Sequence, residues 1–269
     1  MNGSHKFVSG KWKGLVRNGW LEQFGDIEQL LSAGVAVVDK PGRTVRRIET
    51  ARAVIYCKWI CSAGRGQGEY FLKSLLRQPR SLAVWHVSEA MLAAGIACPL
   101  PLLAASLRTF SRFRFEDITV SAEIPYPRVN DLLREAKDTD ERVHILRQAG
   151  QGIRELHEKG FVHGDCLPGN ICMEKTGKLF FLDNDRTVQK SGLFVLKARL
   201  RNLVQFCSHT LTVLPNEKLL SHFLDSYKEW EGSKKVPGIL RKAAVIKKLQ
   251  CRVAELEKEF GKKFPGCKL

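Results

Sequence analysis

No run of about 18 uninterrupted apolar residues occurs anywhere in this 269-residue chain, so its sequence offers no obvious helix able to cross a bilayer. The longest apolar stretch, Met91 to Ser106, carries Pro99 and Pro101 near its middle and reads as core. The first twenty residues lack the apolar segment of a secretory signal, and together these absences predict a cytoplasmic protein. Paired CxxC spacings are missing too. Eight scattered cysteines, several in apolar contexts such as VIYCKWI, read as reduced, mostly buried thiols rather than a disulfide frame or a zinc site. Acidic residues are scarce: 28 Asp and Glu face 44 Lys and Arg, a net charge of +16. From Met1 to Trp20 there are four basic residues and no acid, and from Lys228 to Leu269 there are twelve against five. Such a surplus attracts polyanions: nucleic acid, phosphorylated sugars, nucleotides or an anionic membrane leaflet. Composition does not choose among them.

What is present is a change of period along the chain. IEQLLSAG reads as a short helix ending at Gly34, VAVVDKPGRTVRRIE as a hairpin turning at KPGR, and ARAVIYCKWI as a third strand. The basic loop SAGRGQGE follows, then a helix over SLAVWHVSEAMLAAG and strands over IACPLPLLAAS and TFSRFRFEDI. DTDERVHILRQAGQGIRELHEKG opens with Asp138 and Glu141 as a capping box and sets Ile145, Ala149, Ile153 and Leu156 on one face, which predicts a long half-buried helix. Two short strands joined by KTGK come next, and the pattern is then helical almost to the end. The expected fold class is α+β: a small antiparallel-sheet lobe with one main helix, then a mainly helical lobe. The expected divisions are a basic N-terminal extension (1–34), a first lobe (35–118), a second lobe (119–232) and a basic helical extension (233–269).

The stretch VHGDCLPGNI, residues 162 to 171, follows the long helix. Alone it is as compatible with an ordinary turn as with a catalytic loop. Phosphoryl transfer from ATP needs a strand lysine for phosphates, a carboxylate to orient the acceptor hydroxyl, and oxygen ligands for magnesium. Lys58 lies mid-strand between apolar residues, where a charge is costly without a partner. Asp165 lies in the loop, Asn170 comes five residues later beyond the Pro168–Gly169 turn, and Asp183 ends the hairpin. Asp185 is either a further metal oxygen or a turn cap.

The run HGDCLPGN followed by FLD at Asp183 resembles the catalytic loop and metal-binding aspartate of the protein-kinase-like fold. The order GRTVRRIETARAVIYCKWI, FEDITVSAEI, LHEKGFVHGDCLPGN, LDNDRT and ARLRNLVQFCSHTL, over roughly residues 40 to 230, resembles the bacterial lipopolysaccharide kinases that phosphorylate Kdo or heptose of the inner core. The resemblance implies Asp165 as catalytic base or hydroxyl-orienting residue, Asn170 and Asp183 as Mg²⁺ ligands, and Lys58 as the ATP phosphate contact. It also implies a bracing role for His163, and a hinge at Glu116, Asp117 and Ile118 whose backbone meets adenine.

Three departures qualify that pattern. Gly164 and Leu167 replace the Arg and Lys of protein kinases, which points to a glycolipid or sugar acceptor. No Gly-rich nucleotide loop precedes Lys58, and the helix acid expected before Trp85 is Val84, leaving Glu89 as the substitute partner of Lys58. Two alternatives stay open: a small-molecule kinase of the aminoglycoside or choline phosphotransferase type, and a pseudokinase or nucleic-acid-associated scaffold. The basic C-terminal helix either packs on the second lobe or docks on an anionic membrane, here the inner face of the inner membrane.

Overall fold

The computed structural model describes residues 3–24, 26–61, 78–109, 114–189 and 194–229. Two units divide the chain, Met1–Pro125 and Tyr126–Leu269. The first carries seven strands: β1 (Ser4–Ser9), β2 (Trp12–Arg17), β3 (Val35–Lys40), β4 (Arg43–Glu49), β5 (Val54–Cys61), β6 (Pro101–Thr109) and β7 (Arg114–Ala122). They form one antiparallel sheet in the order β1-β2-β6-β7-β5-β4-β3.

Alternation along the strands sends Ile55, Cys57 and Trp59, Leu103 and Ala105, and Ile118 and Val120 to one face. There they meet Phe24, Ile27 and Leu30 of two short helices, α1 (Leu21–Phe24) and α2 (Ile27–Ser32). The other face carries α3 (Arg80–Ala93), which packs on β6 and β7. Ser81 at its start donates from both N and Oγ to buried Asp117, at 3.3 and 2.7 Å. Burial pushes the Asp117 carboxyl above its ordinary range, against these hydrogen bonds and the nearby Arg80 and Arg108.

Two expected divisions are corrected. Residues 1–34 are no extension: β1 and β2 form a hairpin, and β2 pairs with β6 from Lys13↔Ser106 to Val16↔Leu103. Exposed Lys6, Lys11 and Lys13 mask a period-two pattern whose buried members are Phe7, Trp12 and Val16. The lobe boundary lies at Pro125/Tyr126 rather than 118/119, because β7 continues to Ala122 with partners on both sides.

Unit 2 contains α4 (Val129–Glu135), α5 (Thr139–Glu158), β8 (Phe161–Val162), β9 (Ile171–Met173), β10 (Leu179–Phe181), β11 (Val188–Gln189), α6 (Phe194–Val213) and α7 (Glu217–Glu229). The expected capping-box-like start forms with one partner shifted: the Asp138 cap accepts from the Glu141 N–H, and the Glu141 carboxylate accepts from the N–H of Lys137, one residue before the cap, both at 2.8 Å. Ile145, Ala149, Ile153 and Leu156 are buried as their spacing predicts. β9 and β10 make the expected hairpin, and β11 pairs with β8.

Among the described residues, no helix is long and apolar enough to cross a membrane. The segments expected to form the SAGRGQGE loop and the basic C-terminal helix fall outside the described residues.

Among the described residues, six cysteines are buried thiols outside any disulfide. Burial raises Cys57 and Cys98 to about 12 and Cys172 to about 11, and pushes Cys166 and Cys207 higher still. Shielded by burial, and in the five raised thiols also with almost no thiolate at pH 8, Cys57, Cys61, Cys98, Cys166, Cys172 and Cys207 should all escape iodoacetamide in the native protein and react in urea. Peptide mass mapping checks this, and native labelling of any of the six would contradict the burial described.

Candidate active site

The loop that leaves α5 is held by a buried histidine. β8 carries the chain to His163, which is fully buried. Its Nε2 lies 2.8 Å from the Leu182 carbonyl and its Nδ1 3.1 Å from the Asp165 N–H. The carbonyl can only accept and the N–H can only donate, so the ring is neutral with its proton on Nε2. Burial also lowers its pKa below the ordinary 6.5. A folded pKa below the unfolded one means the unfolded chain binds more protons, so this contribution to stability is lost as pH falls below about 6.5. Urea unfolding at pH 7.5 and 5.5 should show a loss at the lower pH that shrinks in His163→Gln; an equal loss in both would rule His163 out as its source.

The backbone then turns back on itself. Leu167 donates to the Asp165 carbonyl at 2.9 Å, and Asn170 Nδ2 donates to the same oxygen at 3.0 Å. That bond uses the amide nitrogen of Asn170 and leaves its Oδ1 as the end to present to a ligand. The Asn170 carbonyl in turn accepts from the Leu182 N–H at 2.8 Å, which ties the loop to the end of β10. One residue on, Asp183 sits at φ 54° and ψ 55°, the one non-glycine with positive φ among the described residues. This left-handed residue starts the 3-10 turn Asn184–Arg186, which is braced by Asn184 Nδ2 to the Phe181 carbonyl at 3.2 Å and Thr187 Oγ1 to Asn184 Oδ1 at 3.1 Å.

Gly164 is where this turn meets the loop. A Cβ there would lie 2.0 Å from Arg186 Cβ and 2.7 Å from its Cα. The absence of an Arg after His163 thus has a steric reason: the backbone of Arg186 occupies the space. Gly164→Ala should cost about 1–3 kcal/mol in denaturant unfolding. Unchanged stability would show that the turn yields freely.

The unit 1 candidates are placed differently from expectation in all but one case. Lys58 is mid-β5, opposite Val45 of β4 and Thr119 of β7, on the sheet face where Asp117 meets α3. Glu89 pairs with Arg17, a buried guanidinium that also donates to the Pro101 carbonyl at 2.9 Å and stacks over Trp85. Arg17 requires that countercharge, so the expected role of Glu89 beside Lys58 is corrected. Glu116, Asp117 and Ile118 are interior positions of β7, laddered to β5 on one side and β6 on the other. Their main-chain groups are committed to the sheet, and Glu116 accepts from Trp59 Nε1 at 2.8 Å. They do not form a hinge.

A family model described as "Lipopolysaccharide kinase (Kdo/WaaP) family" matches residues 64–227, more than half of the chain. The chain belongs to the lipopolysaccharide kinase (Kdo/WaaP) family. The family is one of lipopolysaccharide kinases, and the chain has the protein-kinase-like α+β fold that its residues suggested. A solved structure of WaaP in complex with acyl carrier protein shares the fold, with a TM-score of 0.60 at 14% identity, covering 94% of this chain and 99% of that one. A co-crystal structure of WbdD with a kinase inhibitor aligns at a TM-score of 0.43 and 18% identity, over 79% of this chain and 44% of that one. The KEOPS complex subunit Bud32 of Pyrococcus abyssi (strain GE5 / Orsay) is 35% identical over 81 residues, which is 28% of this chain. The match spans only 36% of that relative's length.

For this lipopolysaccharide kinase, family membership implies ATP and usually a divalent metal. The donor types in unit 2 suit a hard cation: an amide oxygen at Asn170 and an exposed carboxylate at Asp183. Sequence reasoning missed Asn202. Fully buried on α6, it accepts from the His163 N–H at 3.0 Å and donates to the His163 carbonyl at 2.6 Å. It also binds His157 Nε2 at 3.1 Å, whose Nδ1 meets the Tyr227 hydroxyl at 2.9 Å. The only signal in the sequence was a polar residue on the apolar side of a helix.

Proposed function

We propose that this kinase transfers the γ-phosphoryl group of ATP to a hydroxyl of Kdo or heptose in the lipopolysaccharide inner core. The observation that supports the reading is the loop itself: His163 and Asn202 fix its backbone, Asn170 is oriented by the Asp165 carbonyl, and Asp183, itself in the left-handed conformation, is exposed at the end of the hairpin. Asp165, half-exposed, accepts or orients the proton of the acceptor hydroxyl. Asn170 and Asp183 would hold Mg²⁺, which when bound would neutralise phosphate charge. Lys58 contacts the ATP phosphates. Transfer is direct and in line, so positioning and charge do the catalysis and no covalent enzyme intermediate forms.

ATP consumption measured against Kdo-containing and heptose-containing glycolipids, with aminoglycosides and choline as controls, tests the acceptor. Turnover with either control and none with the glycolipids would replace the reading by that of a small-molecule kinase. The exposed Lys6, Lys11 and Lys13 of the β1–β2 hairpin support docking on an anionic leaflet from the cytoplasmic side. Co-sedimentation with anionic vesicles should be salt-sensitive and absent with neutral vesicles; equal recovery with both would count against docking.

A further inference from the structure

Two arginines flank the residue proposed to orient the acceptor. Arg186 ends the 3-10 turn with its side chain 70% exposed, and its Nη1 lies 3.7 Å from Asp165 Oδ1. Arg201 is exposed on α6, and its Nη2 donates to the Gly164 carbonyl at 3.0 Å. Two guanidiniums therefore stand at successive residues of one loop. An exposed pair at 3.7 Å, screened by water, adds little to stability. Arg201 spends an N–H on a carbonyl and keeps its full charge.

The roots of both side chains are fixed, although their tips are in solvent. Arg186 Cα is pressed against Gly164, and the turn below it is braced through Asn184 and Thr187. Arg201 is one residue before Asn202, which is buried and bonded to the His163 peptide on both sides. Planar guanidiniums on fixed roots suit bidentate recognition of an oxyanion better than they suit a screened ion pair.

We propose that Arg186 and Arg201 bind the acceptor, gripping a carboxylate or phosphate on the sugar so that its hydroxyl is delivered to Asp165. The inference rests on the proposed role of Asp165, and it narrows the acceptor to an anionic sugar. Carboxylate and phosphate share this chemistry, and the acceptor used in the assay separates them.

The test compares wild type with Arg186→Ala, Arg186→Lys and Arg201→Ala, using the full chain. Four acceptors are needed: a Kdo-terminated glycolipid, its carboxyl-reduced form, a phosphorylated heptose glycolipid and its dephosphorylated form. Each Ala variant should raise the acceptor KM by roughly 10- to 100-fold while leaving the ATP KM within about twofold. Arg186→Lys should recover only part, since an ammonium lacks the fork. On the acceptor stripped of the relevant anion, wild type should fall to the level of the variants, and the variants should lose nothing further. A merely structural role, or one confined to tuning Asp165, would cost the same on charged and uncharged acceptors. That result, or an acceptor KM unchanged in both Ala variants while wild type transfers normally, overturns the arginine pair and leaves the kinase reading standing. Wild type that transfers to none of the four acceptors overturns the glycolipid acceptor and, with it, a pair built to hold its anion.

Discussion

Asp183→Asn should reduce kcat by on the order of 10³-fold with the fold intact, because the amide presents a neutral oxygen where a carboxylate is proposed to hold the cation. The structure makes this a clean substitution. Asp183 is exposed and at φ 54°, a conformation that Asn adopts as readily as Asp, so neither burial nor backbone strain changes. Asp165→Asn is the companion: it keeps size and hydrogen bonding but removes the acceptor of the hydroxyl proton, with an expected loss of about 10²–10⁴-fold. The Asp165 main chain, which carries the bonds to His163, Leu167 and Asn170, is untouched by that change. Steady-state rates alongside thermal unfolding check both. Either variant turning over at near wild-type rate would remove its residue from the proposed chemistry.

Asn202→Leu should be the most damaging substitution remote from the reacting atoms. It leaves the N–H and carbonyl of His163 and the Nε2 of His157 without their partner in a fully buried position. Each unsatisfied buried group costs about 1–3 kcal/mol, so a loss of at least ~3 kcal/mol is expected in denaturant unfolding. Well below the melting point, kcat should also fall by about tenfold or more, because Asn202 fixes the peptide from which the Asp165 loop departs. Tyr227→Phe removes only the hydroxyl at the far end of the same chain of bonds and should cost about 1 kcal/mol. Wild-type stability of Asn202→Leu would show that water or a shifted α6 satisfies the loop.

The local signals of this chain were strong where one element could be read without its neighbours. The capping box at Asp138 and Glu141, the apolar stripe of α5 and the hairpin that ends near Asp183 all depend on residues a few positions apart, and all are in the structure. The β1–β2 hairpin was hidden because its lysines dominate the composition, while the pattern that matters is the burial of Phe7, Trp12 and Val16 between them. Pairing with β6, almost ninety residues away in sequence, is what makes that alternation worth burying.

By itself the sequence determined the fold class and the order of the acidic and amide groups along the loop, because these follow from short-range spacing, while the family came from the resemblance of its motifs and the matching family model. Only the tertiary structure decided which charges meet. Glu89 answers Arg17 because β2 is packed beside the strand that follows α3, and Glu116 to Ile118 lie inside a strand because the sheet offers them partners on both sides. Gly164 could be read as a missing arginine, but its reason is the backbone of Arg186 filling the same space. Contacts between distant segments are fixed by packing, and packing is not written at any single position.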